Sequence, residues 1–274
     1  MRLIFCGDVV GRSGREVIVE KLPSLREKLK ADLVIVNGEN AAGGFGITPT
    51  ICKEFYEAGV DIITTGNHIW DQKQILPYLP TDPNCLRPIN YSNQSLPGRG
   101  VCEFTLKDGR VFVVIHAMCR LFMKDAVDCP FFAVEGILKK YSLSRPSIAG
   151  IMIDIHGETN SEKMALAHMV DGQVSFVVGT HTHIPTADAQ IFSKGTAYQS
   201  DAGMCGDYNS VIGMKPEVPI GRFLGKPGLP RMKPAMGEAT LAGVFIEIND
   251  RTGLAMQIEP IRVGGILKQT MPEV

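Results

Sequence analysis

The first 75 residues of the chain form three units, in each of which a short apolar run is followed by a segment of helical character. The predicted strands are residues 3–6, 33–36 and 61–65, and the predicted helices are residues 13–30, residues 48–58 and a short helix ending at Gln74. Pro23 is expected to bend or interrupt the first helix. Successive strand–helix units favour parallel crossovers, so we predict an α/β fold with helices on both faces of a sheet.

The middle and the end of the chain add hairpins to this pattern. Residues 101–106 and 111–116 flank an Asp-Gly pair, a strong two-residue turn signal, so antiparallel strands should join the sheet here. The remaining predicted elements are helix 132–141, strand 148–155, helix 160–170, strand 174–178 and a terminal hairpin of residues 240–248 and 254–262.

Residues 202–238 differ from the rest of the chain because they are rich in Gly, Pro and Met and show little periodicity. A long segment of this kind in a compact domain is usually functional. We therefore expect a lid or an oligomer contact, and the second alternative would make the protein a homo-oligomer. Without an internal repeat, residues 1–274 are treated as one domain.

Composition and charge indicate a folded protein that does not track long nucleic acids. Hydrophobic residues make up 45% of the chain and charged residues 21%, an ordinary globular balance. The net charge is −1, from 28 basic and 29 acidic residues, without a long run of Lys or Arg. The apolar runs are too short for a signal peptide or a membrane span, so we expect a cytoplasmic protein without a membrane partner.

The seven cysteines are scattered, odd in number and without a C-x-x-C pair. Disulfide frameworks and thiolate zinc sites both need closer or more regular spacing than this. The sequence therefore predicts reduced thiols that pack in the core as small apolar side chains.

Polar side chains follow the predicted strands at the points where each strand ends. They are Asp8, Glu39, Asn40, Asn67, His68, His156, His181 and His183. In α/β sheets ligands bind beyond the carboxyl ends of the strands, so these groups should meet at one edge. Carboxylate, amide oxygen and imidazole suit Fe, Mn or Zn, and the set is large enough for two ions bridged by a carboxylate. His181 and His183 would project to the same side if their segment is extended.

Each of these features also has a simpler interpretation. A single loop histidine is usually solvated or hydrogen-bonded, and His116 and His168 are interpreted in this way. Asp8 could cap the segment that follows it, and residues 66–68 could be a plain turn. The joint occurrence of five strand-end motifs favours a site. Residues 7–11 lack the full G-x-G-x-x-G spacing of a dinucleotide fold, and the chain has no G-x-S-x-G elbow of a serine hydrolase.

Five motifs resemble, in order and spacing, those of the calcineurin-like metallophosphoesterase superfamily. They are Gly7-Asp8, Gly38-Glu39-Asn40, Gly66-Asn67-His68, His156-Gly157 and Gly179-Thr180-His181-Thr182-His183. That superfamily usually has Asp-x-His in the first motif and a bridging Asp in the second, where this chain has Asp8-Val9-Val10 and Glu39-Asn40. These departures, with residues 37–41 and 203–206, resemble the YmdB-type subgroup along most of the chain.

The resemblance implies a fold and a metal centre. The expected fold is a β-sandwich of two mixed sheets flanked by helices. The expected centre holds two divalent or mixed-valence ions, iron first, with Mn or Zn as alternatives. In this centre Glu39 bridges the two ions. The first ion is completed by Asp8, Asn40 and His183, and the second by Asn67, His156 and His181.

The resemblance also implies an activity, the hydrolysis of small phosphodiesters, 2′,3′-cyclic nucleotides foremost, by a metal-activated hydroxide. His68 matches the family's proton donor to the leaving oxygen. Because nearby cations disfavour imidazolium, His68 needs a carboxylate or carbonyl partner, which the sequence does not identify. A monophosphatase or an RNA-directed nuclease is an alternative on the same centre.

A second hypothesis belongs to another class: a nucleotide-sensing or scaffold protein of RNA metabolism with a vestigial metal site. His68 distinguishes the two hypotheses, because a purely structural metal site does not need a proton donor beside its ligands or an open coordination position. Its presence favours an enzyme.

Overall fold

The computed structural model describes residues 1–93 and 95–273. The strands are β1 (Arg2–Cys6), β2 (Asp8–Val9), β3 (Leu33–Asn37), β4 (Ile62–Thr64), β5 (Val101–Thr105), β6 (Val111–Met118), β7 (Ile148–His156), β8 (Phe176–Thr180), β9 (Gln190–Ile191), β10 (Ala197–Gln199), β11 (Met204–Cys205), β12 (Leu241–Ile248) and β13 (Ala255–Val263). The helices are α1 (Gly11–Lys28), α2 (Pro49–Glu57), α3 (Ile75–Tyr78), α4 (Pro130–Leu138), α5 (Asn160–Met169) and α6 (Glu217–Phe223), with a 3-10 turn at Leu79–Thr81.

Two mixed sheets form the centre of the structure. The first has the order β13-β12-β1-β3-β4, and the second has the order β5-β6-β7-β8-β10-β9. In the first sheet β1, β3 and β4 are parallel, whereas β12 is antiparallel to both β1 and β13. In the second sheet β6, β7, β8 and β10 are parallel, and β5 and β9 are antiparallel edge strands. A short parallel pair joins β2 to β11.

The two sheets pack face to face, with helices on their outer faces. Alternate residues of β1 point to opposite sides, so that Leu3 lies in the cluster between the sheets and Ile4 lies in the cluster against α1 and α2. In β7 Met152 faces the other sheet, and Ile153 packs in the cluster that includes α4 and α5. The predicted sandwich of two mixed sheets flanked by helices is confirmed.

The prediction from strand pattern alone, a sheet with helices on both of its faces, is wrong. Each sheet has helices on one face and the other sheet on its second face. Strands buried on both sides have the same apolar sequence whichever element covers them, so the pattern could not distinguish the two arrangements.

Most local predictions agree with the structure to within a few residues. Thr48 caps α2, because its hydroxyl oxygen accepts a hydrogen bond from Ile51 N at 3.4 Å. Helix α1 continues through Pro23 without interruption. The short helix predicted to end at Gln74 is wrong, since residues 66–74 form turns and α3 begins at Ile75.

The cysteine prediction is confirmed: all seven are free thiols, six of them buried and Cys129 partly exposed. No helix in the described residues is long and apolar enough to cross a membrane. Residues 202–238 contain β11 and α6 and otherwise lack regular structure. They lie beside the carboxyl end of β1, because Met204 pairs with Asp8 and the Val10 N–H donates to the Cys205 carbonyl at 2.9 Å.

Candidate metal centre

The carboxyl ends of five parallel strands, three from the first sheet and two from the second, meet at one edge of the sandwich. The candidate residues lie there: Asp8 after β1, Glu39 and Asn40 after β3, Asn67 and His68 after β4, His156 at the end of β7, and His181 and His183 after β8. All eight residues singled out in the sequence therefore come together. They do so from both sheets, which makes the site a product of the sandwich.

A first cluster consists of Asp8, Glu39 and His183, each buried and each offering one ligand atom within 4.8 Å of the others. Asn40 adds its side-chain oxygen, 3.2 Å from His183 Nε2. Asp8 Oδ2 accepts the backbone N–H of His181 at 3.1 Å. Its second oxygen, Oδ1, is buried without a hydrogen-bond partner among the described residues, as expected for an atom that binds a cation.

Hydrogen bonds on the outer side of this cluster direct lone pairs towards its centre. Asn40 Nδ2 donates to the Gly44 carbonyl at 3.1 Å, which turns the amide oxygen towards His183. His183 Nδ1 lies 2.8 Å from the Ile212 carbonyl and therefore carries the proton in the neutral ring. Nε2 of His183 is left as an acceptor that can bind a metal.

A second cluster consists of Glu39, His156 and His181, with ligand atoms again within 4.8 Å of one another. His156 Nε2 lies 3.0 Å from Asn67 Oδ1, 3.2 Å from Glu39 Oε2 and 3.1 Å from His181 Nδ1. A single proton on Nε2 cannot form hydrogen bonds to all three of these atoms at once. Two ligands that are each about 2.1 Å from a shared cation stand roughly 3.0–3.4 Å apart, which is close to the spacing found here. Glu39 belongs to both clusters.

A relay of hydrogen bonds fixes the ring of His156. Its Nδ1 lies 2.9 Å from the hydroxyl of Thr180, and that hydroxyl donates to Asp154 Oδ1 at 2.7 Å. Nδ1 of His156 is therefore the donor, and Nε2 is free to bind a metal. Asn37 extends the relay, because Nδ2 donates to Asp154 Oδ2 at 3.2 Å and Oδ1 accepts from Glu39 N at 3.1 Å.

The charges of the buried groups favour a cation at the second cluster. Burial alone would lower the pKa of His156, but Glu39 and Asp8 raise it to about 9. Burial and the neighbouring His156 lower the pKa of His181 to about 3. Burial raises the pKa of Asp8 well above its usual range. The raised pKa values of Asp8 and His156 both indicate a buried site that is short of positive charge, which a divalent metal would supply in competition with protons.

The backbone of the two histidines that follow β8 is not extended as expected. His181 has φ +102° and His183 has φ +67°, a conformation that non-glycine residues adopt at a cost of about 1–3 kcal/mol each. The expectation that both rings project to the same side depended on an extended segment, and the segment is not extended. His181 contacts His156, and His183 contacts Asn40.

His68 lies beside both clusters but contributes to neither. Its backbone N–H donates to Glu39 Oε2 at 3.3 Å, and its ring packs edge-on against Phe45 with 5.1 Å between the ring centres. Nδ1 of His68 lies 2.8 Å from Asp71 Oδ2. Asp71 is therefore the carboxylate partner that the sequence left unidentified.

The absence of a side chain at residue 66 makes room for the second cluster. A Cβ atom on Gly66 would overlap Glu39 Oε2 and His156 Nε2. The Gly-Asn-His motif thus serves two purposes, since glycine lets the backbone approach the cluster and Asn67 supplies an oxygen to it.

A cavity of about 680 Å³ opens over the two clusters. One side consists of polar residues of the clusters and of His68, and the other side consists mainly of apolar residues from the segment 211–232. A small phosphate ester could therefore contact the clusters with its phosphate and the apolar residues with its organic part.

Several residues that support the site were not found from the sequence. Lys163 belongs to the predicted helix 160–170 and to no motif, yet it is fully buried and donates to the Thr180 carbonyl at 2.7 Å. Asp201 and Asp154 lie in segments without a recognisable motif, and only the fold brings them to the site. The single clue to Asp71 was its spacing, three residues after His68.

Comparisons with known proteins place the chain in a family. Residues 4–261 match the family described as "YmdB-like protein". A 2′,3′-cyclic-nucleotide 2′-phosphodiesterase from Bacillus subtilis (strain 168) is 42% identical over 264 residues, covering 96% of this chain and 97% of the relative.

Two solved structures agree closely with the fold. A novel phosphatase from Mycoplasma pneumoniae has a TM-score of 0.89 at 34% identity, covering 96% of this chain and 93% of its own. A hypothetical protein from Thermus thermophilus has a TM-score of 0.88 at 37% identity, covering 97% and 100% of the two chains. The resemblance inferred from the motifs is confirmed.

Proposed function

This chain belongs to the YmdB-like protein family, and we propose that it is a phosphodiesterase with a dinuclear metal centre that hydrolyses small phosphodiesters. The foremost substrates are 2′,3′-cyclic nucleotides, because the Bacillus subtilis relative is named for them and matches nearly end to end. We expect the reaction to take place in the cytoplasm.

The position of Glu39 carries the proposal. Its carboxylate belongs to both ligand clusters, and Oε2 lies 3.2 Å from His156 Nε2. We assign it the bridging role between two ions. Asp8, Asn40 and His183 would hold the first ion, and Asn67, His156 and His181 the second. The donors are oxygen and imidazole without thiolate, which fits iron first and Mn or Zn as alternatives.

The chemistry follows from this arrangement. When bound, the two metals would neutralise phosphoryl oxygens and lower the pKa of a water from 15.7 to roughly 7, which supplies a hydroxide at neutral pH. His68 borders the cavity, and Asp71 Oδ2, 2.8 Å from its Nδ1, holds the ring in place. His68 would donate a proton to the leaving oxygen.

Residues 202–238 would complete the substrate site. Their apolar side chains line the cavity opposite the clusters. We propose that this segment acts as a lid rather than as an oligomer contact, because it already borders the site within a single chain.

The test measures metal content by elemental analysis, together with hydrolysis of 2′,3′-cyclic AMP before and after chelation. About two metals per chain and turnover that chelation abolishes would support the proposal. Bound metal without turnover on any diester would contradict it and favour the nucleotide-sensing or scaffold protein.

A further inference from the structure

A basic segment borders the cavity. Residues 215–233 contain five cationic side chains and one acidic side chain, Glu217, for a net charge of +4. The cations are Lys215, Arg222, Lys226, Arg231 and Lys233. With a net charge of −1 for the whole chain, the remaining residues carry −5. The positive charge is thus concentrated in one short segment.

The five cations are exposed, and none forms an ion pair within residues 1–93 and 95–273. Cations that stabilise a fold usually have carboxylate partners or pack into the structure. Exposed and unpaired cations in one place instead raise the local concentration of an anionic ligand.

The basic segment lies against the cavity that holds the ligand clusters. Arg222, Phe223 and Met232 line that cavity. The guanidinium of Arg231 lies 5.0 Å above the ring of Phe45, which also lines the cavity and contacts His68. A ligand that extends out of the cavity on this side therefore comes close to the cations.

The other three cations of the segment are lysines. The N–H of Lys215 donates to the carbonyl of Lys233 at 2.9 Å, which brings the two backbones together next to Met214 and Met232 of the cavity. Lys226 follows α6 by three residues, and its N–H donates to the Gly221 carbonyl at 2.9 Å.

An exposed aromatic ring accompanies the charges. Phe223 is 91% exposed although it belongs to the cavity lining. Cations interspersed with aromatic rings are typical of surfaces that bind single-stranded nucleic acid, where rings stack on bases and cations follow the phosphates. A cyclic mononucleotide carries one negative charge, which the metal centre would neutralise, so it leaves these five cations without a ligand.

We propose that the basic segment binds the backbone of a short single-stranded RNA whose 3′-terminal 2′,3′-cyclic phosphate enters the metal centre. The inference rests on the proposed function and names its substrate class. Water forms a bond to phosphorus, one ring P–O bond breaks, and its oxygen leaves as a ribose hydroxyl with a proton. The phosphate monoester stays on the RNA. Nineteen residues of basic surface suit a short strand, in keeping with the ordinary charge of the rest of the chain.

The first experiment compares kcat/KM for 2′,3′-cyclic AMP and for a five-nucleotide oligoadenylate that ends in a 2′,3′-cyclic phosphate. The oligonucleotide should have a KM at least tenfold lower at low salt. Three phosphate contacts give a log–log salt slope of about −2, so doubling the salt should raise that KM roughly fourfold. If kcat/KM for the oligonucleotide is equal to or lower than kcat/KM for 2′,3′-cyclic AMP, and cyclic AMP is turned over well, the inference is overturned while the proposed function stays intact.

A triple variant identifies the surface. Lys215→Gln, Lys226→Gln and Lys233→Gln together should remove the preference for the oligonucleotide and its salt dependence. The matched control replaces three exposed lysines elsewhere, Lys53, Lys139 and Lys140, by Gln and should retain both. A preference that survives in the first variant would contradict the assignment.

A binding measurement separates this inference from catalysis. A fluorescein-labelled pentanucleotide with a 3′-phosphate should bind the protein in fluorescence anisotropy, with a Kd that the Lys215/Lys226/Lys233 variant weakens at least tenfold. This result would stand even if no diester were hydrolysed. Equal binding by the variant and the wild-type protein would overturn the inference in either case.

Discussion

Lys163 Nζ lies 3.1 Å from Asp201 Oδ2 in a fully buried ion pair that holds the backbone on both sides of His181. Lys163 donates to the carbonyl of Thr180, and Asp201 accepts the N–H of Thr182 at 3.0 Å. The pair thus fixes the peptide groups that flank a residue with φ +102°. The unfavourable backbone conformation of His181, a proposed metal ligand, is retained because hydrogen bonds fix the peptide groups on both sides of it.

Replacement of Lys163 by Met should lower the free energy of unfolding by about 3–5 kcal/mol, because Asp201 would be left buried without its partner. It should also reduce metal content from two ions towards one, since His181 belongs to the second cluster. Chemical denaturation and elemental analysis measure the two effects. Lys139→Met, on an exposed lysine, is the control.

The double variant Lys163→Met with Asp201→Asn distinguishes positioning from stability. It removes the uncompensated charge and should recover part of the lost unfolding free energy, while metal content stays low. Full metal content in either variant would show that the pair does not position His181.

Gly66→Ala should abolish binding of the second metal and reduce turnover at least a hundredfold, because the new methyl group would overlap Glu39 Oε2 and His156 Nε2. Gly136→Ala is the matched control. A Cβ at Gly136, inside α4, meets no atom within 4 Å, so this change should leave metal and activity intact. Normal metal content in Gly66→Ala would mean that the cluster is not where the second ion binds.

His68→Ala should retain both metals and lose about 10²–10⁴-fold in turnover, the usual effect of removing a general acid. The loss should be larger for an alkyl leaving group than for 4-nitrophenolate, which leaves without a proton. The turnover of Asp71→Asn should lie between that of the wild type and that of His68→Ala, because Asp71 holds the ring of His68.

His168→Ala is the control for these variants, since that exposed ring stacks on Phe192 and does not reach the site. Equal losses for the two leaving groups would argue against proton donation by His68. Loss of metal in His68→Ala would show that His68 is a metal ligand.

Chelation should lower thermal stability as well as activity. A metal present at 100 times its Kd stabilises the folded state by about 2.7 kcal/mol, and each kcal/mol corresponds to roughly 2–4 °C in Tm for a large domain. Scanning calorimetry with and without chelator measures the shift. In Glu39→Gln, which changes the shared ligand, the shift should largely disappear; an undiminished shift would place the stabilising metal elsewhere.

The sequence predicted the strand ends well because they combine two independent features. An apolar run marks the strand, and Gly with a polar ligand type marks its end, as in Gly38-Glu39-Asn40 and Gly66-Asn67-His68. Parallel strands then bring such ends to one edge. This explains why all eight candidate residues meet in the structure although their positions extend from 8 to 183.

The sequence did not predict features that depend on tertiary contacts. A lysine on an amphipathic helix resembles any surface lysine, and the burial of Lys163 follows from Asp201, 38 residues away. The left-handed backbone of His181 could not be predicted either, because histidine has no intrinsic preference for it and the flanking hydrogen bonds impose it. The strand pattern did not reveal the second sheet for a similar reason.

The pairing of β1 with β12 has a consequence for synthesis of the chain. Phe5 lies opposite Val244, so the strand that precedes Asp8 has an open edge until residues 241–248 have emerged from the ribosome. A nascent chain that exposes such an edge is prone to wrong pairing and calls for chaperone protection. Cofactor loading is then a late event, because the first cluster gains its final shape after translation has passed the last strands of the sheet.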